Sequence, residues 1–395
     1  MKHRLAPLIV FLIVAGAALA TKTGPTYNFD NVFYLGFAEE IRGQTISEAH
    51  QSAYAQIKAA LPKEDYEKIL SDGTADDLVR IPSATNVEVY RQQIPFYSIK
   101  PVYPLLIAVF RSVGVNGVNA SFWISAVSLG LLAALCCSWL SRHYAVGLSA
   151  AVAVLIALSG GIFNLGVDPR PDALYAAVVI GTLMLTVRSA RLSGVLIALM
   201  LFSMLVRPDA IILCVLMSLA WLVTKPRDYA RPLIALALCL ALYVGVTRVM
   251  GAYSWPTLMY HAYINYLPYP QTQPSVVHAA DLLHIYAKFG QPIYSESFLT
   301  MLLVAVLALI GALVTAPLRS PLVVFSAALV LTLPLHFLVH PSDNMRVRSA
   351  YYIAALIFLL IAISKSAVRA SPAMRRWVFA ERSEHEQPLS VPQLA

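Results

Sequence analysis

The sequence predicts an all-α polytopic membrane protein of about ten transmembrane helices, with a long outer first loop that carries amphipathic interfacial helices. Three observations predict it. Of 395 residues, 58% are hydrophobic and 13% charged, and the mean hydropathy is +0.68, which is more apolar surface than a soluble domain can bury. The apolar residues form continuous runs of helical length rather than short alternating strands, which argues for helices over a barrel. The basic residues fall on alternate loops, and this inside preference accounts for the net charge of +8 without nucleic acid as a partner.

Leu5 to Ala20 is the first run, preceded by Lys2, His3 and Arg4. Ala18-Leu19-Ala20 looks like a cleavage site, but the run nearly reaches spanning length, so it reads as a retained anchor. The outer loop occupies residues 21 to about 117. It opens on Asn28 and Asp30, two good helix starters, followed by Phe33, Phe37 and Ile41 at i, i+4 and i+8 with Tyr34 and Ala38 beside them. Glu39, Glu40 and Arg42 lie off that stripe, so the segment reads as a helix lying on the membrane surface. It bears a carboxylate at its start, where the helix dipole favours negative charge.

Thr45 and Glu48 have capping-box spacing, and the helix they start runs from Ile46 to Leu61, where Pro62 stops it. A short helix then ends at Ser71-Asp72-Gly73, and Asp76 to Ile94 has no clear periodicity. In the segment that follows, Lys100-Pro101 precedes a second surface stripe of Leu105, Leu106, Val109 and Phe110, interrupted by Arg111.

Nine further runs cover about 118–140, 145–163, 172–187, 192–206, 210–224, 232–250, 297–315, 322–339 and 350–364. Arg142, Arg188, Arg191, Lys225, Arg227, Arg231, Arg319, Lys365 and Arg369 share one side with the N-terminus, which makes both termini cytoplasmic. The other side carries the first loop, the turns at Asp168 and Arg207, the loop 251–296, and His340 to Arg348. The four cysteines, Cys136, Cys137, Cys214 and Cys239, all fall in apolar runs, so neither a disulfide framework nor a cysteine zinc site is indicated. Tyr260, Tyr263, Tyr266 and Tyr269 read as an interfacial aromatic belt rather than a sugar platform. Residues 371–395 read as a polar, disordered cytoplasmic tail. Arg170-Pro171-Asp172-Ala173 recurs as Arg207-Pro208-Asp209-Ala210, each copy at the outer start of a run. The pair reads either as a weak internal duplication or as two helix starts with proline and an acidic residue in the first turn.

The order of these features is more distinctive than any one of them. An aspartate follows the first run, a Lys-Pro segment closes the long outer loop, another aspartate sits at the outer turn before the fourth run, and a basic outer turn precedes the last. This order resembles the GT-C superfamily of membrane glycosyltransferases, especially the bacterial protein mannosyltransferase-like branch that includes the aminoarabinose–lipid A transferases. In the pattern Asp-Glu-x-x-Tyr-x-x-x-Ala, Asp30, Tyr34 and Ala38 match, while Asn31 stands where the family has an acidic residue. The Lys-Pro-Pro-Leu segment is matched by Lys100 and Pro101, with Val102 and Tyr103 departing. The aspartate heading the fourth span corresponds to Asp172 or Asp168. The likeness covers most of residues 1–190 and is diffuse beyond them.

The resemblance implies one transmembrane catalytic unit over residues 1–370 that moves a sugar from a polyprenyl-phosphate to a lipid, glycan or protein acceptor. The setting it implies is the outer face of a bacterial plasma membrane. Such a displacement needs a base for the nucleophile and cations for the departing phosphate. Asp30, with Asp172 and Asp168 after it, is the candidate catalytic carboxylate. Lys100, Arg346 and Arg348 are the candidate donor-phosphate ligands, the two arginines because they break the inside preference for basic residues. His336 and His340 are spaced as a zinc pair without a third ligand and read as satisfied polar residues. No cofactor is evident, a divalent metal is compatible with the chemistry, and no Gly-rich loop speaks for a nucleotide-sugar donor. The competing readings are a lipid-linked sugar flippase, which needs polar groups and broken helices at mid-membrane, and a polysaccharide polymerase or ligase.

Overall fold

The computed structural model describes residues 2–21, 28–189, 191–290, 296–341 and 345–370. The expected tail at 371–395 lies outside the described residues. Among the described residues the chain is all-helical, without a strand. The first helix, α1 (Lys2–Ala20), is followed by a layer of seven helices: α2 (Asp30–Ile41), α3 (Ile46–Ala60), α4 (Lys63–Leu70), α5 (Asp77–Thr85), α6 (Val87–Gln93), α7 (Pro95–Ser98) and α8 (Val102–Ser112). The apolar bundle follows as α9 (Gly117–Leu140), α10 (Val146–Leu158), α11 (Gly160–Val167), α12 (Asp172–Arg188), α13 (Gly194–Val206), α14 (Ala210–Thr224) and α15 (Ala230–Val249). Two loop helices, α16 (Trp255–Tyr263) and α17 (Ala279–Gly290), precede α18 (Glu296–Thr315), α19 (Pro321–Val339) and α20 (Met345–Ala370).

Among the described residues, five helices are long and apolar enough to cross a membrane, and six are if the bent pair α10–α11 counts as one crossing. The run expected at 145–163 is the bent one: its two halves meet at 73°. Ser159 is the reason. It sits in extended backbone between the halves, its hydroxyl donates to the Ile156 carbonyl at 2.8 Å, and Gly160-Gly161 then restarts the helix with weak helix formers. Elsewhere close packing sets the architecture. On α1, Val10, Val14 and Ala18 are buried while Leu8 and Leu12 on the opposite face are exposed. The buried face meets α9 at Gly130, where a Cβ would lie 2.8 Å from the Ala15 Cβ, so only glycine lets the helices approach this closely.

The layer α2–α8 has its own hydrophobic core, and α2 runs through it. The expected amphipathic surface helix at 30–41 is therefore corrected to a buried one. Val32, Phe33, Tyr34, Leu35 and Ala38 are all buried, and so is Glu39, on the face that the sequence pattern left for solvent. The Glu39 charge is compensated inside the layer by Arg111 at 2.7 Å, by the Gln56 amide at 3.0 Å and by Arg42. Helices α3 and α8 cover α2 from both sides, so one apolar stripe understates what it buries. The capping box at Thr45–Glu48 is formed, with the Thr45 N–H donating to the Glu48 carboxylate at 2.8 Å. The stretch 76–94, read as aperiodic, contains α5 and α6. Pro82 inside α5 masks its pattern, and the Asn86 side chain caps α6 by accepting from the Glu88 N–H at 2.9 Å. On α8, Leu105 and Val109 are exposed as expected, whereas Leu106 and Phe110 pack against buried core.

Candidate functional site

The layer and the bundle enclose a cavity of about 790 Å³. One wall is built from three short connections. Asp30 is the first residue of α2, and it does not cap the helix as its position suggests: no side-chain cap bond forms there. Its carboxylate instead accepts a hydrogen bond from the Tyr97 hydroxyl at 3.2 Å and lies 3.3 Å from Arg170 Nε. Tyr97 belongs to α7, where its ring stacks on Phe33 at 4.5 Å. Arg170 stands in the turn between α11 and α12. Its backbone is fastened to α9 by Ser125, whose hydroxyl donates to the Arg170 carbonyl at 3.0 Å. Lys100 lies between α7 and α8, and its ammonium donates to the Tyr34 hydroxyl at 3.1 Å.

The cations of this cavity differ in their partners. Arg170 has Asp30 and also Asp168, at 3.2 Å. Across the cavity, Arg80 has Asp72 at 2.7 Å and Asp76 at 3.1 Å, and Lys68 has Asp65 at 3.5 Å. Lys100 has no carboxylate within ion-pair distance among the described residues. Burial pulls its ammonium below the ordinary lysine range, and the nearby Arg207 charge adds to that pull. An anion bound here would reverse both effects.

Behind the wall runs a buried ion lattice. Asp168 accepts from the Asn28 side chain and lies 3.8 Å from Arg346, which in turn lies 3.3 Å from Asp172. Asp172 also pairs with Arg207. Arg207 grips Asp209 through two parallel bonds of 3.0 and 2.8 Å, and Asp209 contacts His336 Nε2 at 2.7 Å. Burial pushes the Asp168 carboxyl up to about 7, against the opposing pull of Arg170.

The structure thus divides the residues expected to form the site. Asp30 and Lys100 line the cavity. Asp168, Asp172 and Arg346 belong to the lattice and do not line it. Arg348 is fully buried, with its guanidinium 5.4 Å from the Phe298 ring and 5.5 Å from the Phe337 ring, and it donates to the His340 carbonyl at 2.9 Å. The expected trio of Lys100, Arg346 and Arg348 is therefore not assembled at the cavity. His336 and His340 serve different partners, Asp209 and the Tyr263 hydroxyl at 2.9 Å. No group of three His, Cys, Asp or Glu side chains suited to a metal ion occurs among the described residues.

The expected tyrosine belt is corrected as well. Tyr266 lines the cavity, Tyr263 holds His340, and the Tyr269 hydroxyl accepts from the Asn86 side chain at 3.2 Å. Tyr269 thus ties the 251–290 loop to the start of α6 in the helical layer, and Tyr263 ties it to the end of α19. The sequence reading missed Tyr97, Arg170, Arg207 and Asp209. The signal for three of them was the repeated Arg-Pro-Asp-Ala quartet: Arg207 of the second copy joins Asp172 of the first to Asp209 of its own. Comparison with protein-family models, curated proteins and solved structures gives no match for the chain.

Proposed function

We propose that this chain is a membrane glycosyltransferase that takes a sugar from a polyprenyl-phosphate and places it on an acceptor at the outer face of the membrane. The observation that carries the reading is one cavity wall that presents a carboxylate, Asp30, beside a lysine, Lys100, without a carboxylate partner of its own. The reaction needs those two groups. An acceptor hydroxyl gives its proton to Asp30 as its oxygen bonds to the anomeric carbon. The bond from that carbon to the phosphate oxygen breaks, the electron pair leaves on the phosphate, and Lys100 neutralises the charge. Tyr97 and Arg170 orient Asp30, one through each carboxylate oxygen. Arg348 has no place in this reading of the donor site.

The topology belongs to the same proposal. Helices occupy all ten apolar runs, and ten crossings with both termini cytoplasmic put the cavity end of the bundle outside. Reporter fusions at residues 225, 275 and 395 would then read inside, outside and inside.

The test of function is transfer by the purified chain in proteoliposomes. It uses a panel of radiolabelled polyprenyl-phosphate sugars with membrane extract as acceptor. Label should move from one donor to an extract component in wild type and not in Asp30→Asn. Movement of the intact donor between leaflets without loss of its sugar would overturn the reading in favour of a flippase.

A further inference from the structure

The cavity has an aromatic edge that the proposed reaction does not use. Two elements build it. Helix α7 carries Phe96, one residue before Tyr97, and α16 brings His261 from the 251–290 loop; both line the cavity. The two rings stack with centroids 4.4 Å apart and planes 21° apart. Tyr253 lies against the Phe96 ring at 4.7 Å, and Tyr266, which also lines the cavity, meets His261 edge-on at 5.3 Å. Gln93 of α6 fastens the loop by donating to the Leu267 carbonyl at 2.9 Å.

His261 is set up to donate a hydrogen bond and not to accept one. Its Nδ1 accepts the Leu267 N–H at 3.0 Å, so the neutral ring carries its proton on Nε2. Burial pulls the ring down to about 4, which keeps it neutral at ordinary pH. Nε2 has no hydrogen-bond partner among the described residues and is not shielded from solvent. A ring in this state is no base for the reaction, because its one lone pair is taken.

The charged groups of the far wall each have an opposite charge within ion-pair distance, Asp65 with Lys68, and Asp72 and Asp76 with Arg80. What this part of the cavity lacks is therefore not a counter-ion. Its carboxylates still have lone pairs for further donors. Aromatic rings, one fixed N–H donor and carboxylate acceptors suit a neutral ligand with an apolar face and a rim of hydroxyls. A pyranose has that form.

We propose that Phe96, His261 and Tyr266 bind a sugar ring, either the donor's own sugar or a sugar of the acceptor, with His261 Nε2–H donating to a hydroxyl. Phe96 adjoins Tyr97, whose hydroxyl donates to Asp30 at 3.2 Å, so the bound ring lies beside the carboxylate. The part this sugar plays in transfer rests on the proposed function; its binding does not.

The experiment is saturation-transfer difference NMR on the full chain in neutral detergent, irradiating the protein's aromatic protons. The probes are the methyl glycosides of glucose, galactose, mannose and N-acetylglucosamine. Wild type should pass saturation to at least one of them, and titration gives its affinity. His261→Asn keeps an acceptor for the Leu267 N–H and loses the donor at Nε2. It should bind that glycoside about fivefold more weakly or beyond, the scale of one hydrogen bond. His261→Gln keeps a donor near the place of Nε2 and should retain part of the binding. A role confined to holding Leu267 gives the reverse order, with Asn the better substitute, and overturns the site. Phe96→Leu removes the aromatic face alone and should also weaken binding, which serves as the comparison should the histidine variants fail to fold. No saturation of any glycoside, or equal binding by wild type, His261→Asn and Phe96→Leu, also overturns it. In the proteoliposome assay, a raised KM of His261→Asn for the polyprenyl-phosphate sugar identifies the donor's sugar as the ligand. A raised requirement for membrane extract identifies the acceptor's. Glycoside binding without any transfer of label would sink the proposed function and leave this site standing.

Discussion

Two clusters of charged side chains sit side by side at one end of the bundle, and they differ in how fully their charges are paired. In the buried lattice, Arg207 holds Asp172 and Asp209, Arg346 lies near Asp168 and shares Asp172, and Asp209 also holds a histidine. At the cavity, Lys100 has a hydroxyl and, among the described residues, no carboxylate within ion-pair distance, and Asp30 is only partly enclosed. The lattice has its charges matched within the protein and so acts as structure, joining α12, α14, α19 and α20. The cavity wall leaves Lys100 without a carboxylate in ion-pair contact among the described residues, which under the proposed function turns it toward a ligand. Among residues of the same type at the same depth, the pairing of each charge marks its role.

The largest effect that would break this comparison is on stability. Arg207→Ala should destabilise the fold by about 3–5 kcal/mol, because two buried carboxylates lose their cation. Thermal unfolding in detergent measures it, and a variant as stable as wild type would move the lattice from structure to function. Next, Asp30→Asn should cut turnover by roughly a hundredfold or more, as for loss of a positioned base, with unfolding unchanged.

A smaller effect is on pH dependence. Because the Asp168 carboxyl is raised from 3.8 to about 7, the folded state favours its protonated form. Its contribution to stability is full below about 4 and is lost as pH rises through about 7. Wild type should therefore lose stability relative to Asp168→Asn across that window. A constant difference between the two melting temperatures from pH 4 to pH 8 would contradict the assignment.

Much of this architecture was legible in the sequence. Nine of the ten apolar runs are single helices and the run at 145–163 is the bent pair α10–α11, the Thr45–Glu48 cap is present, and Asp30 and Lys100 share the cavity. What was not legible shares a physical cause. Arg348 and Arg346 were singled out for lying where basic residues are uncommon, but that criterion does not separate a cation facing a ligand from one facing Phe298 and Phe337 or two aspartates. Glu39 marked a solvent face because a buried carboxylate is uncommon. Its partners Arg111 and Gln56 are 72 and 17 residues away, beyond the reach of any periodicity. The α5 helix was hidden by Pro82, and the bend at Ser159 left no signal beyond two glycines.

The central claim is that the cation without a carboxylate partner takes the donor phosphate. Its most direct test compares donor kinetics and unfolding for Lys100→Met and Arg346→Met. Lys100→Met should lower kcat/KM for the polyprenyl-phosphate sugar by roughly tenfold or more, the scale of one charge-assisted contact, and leave the melting temperature at or above that of wild type. Arg346→Met should lower the melting temperature first. If Lys100→Met keeps wild-type kcat/KM while Arg346→Met loses donor kinetics without losing stability, the phosphate lies in the lattice and the account is wrong.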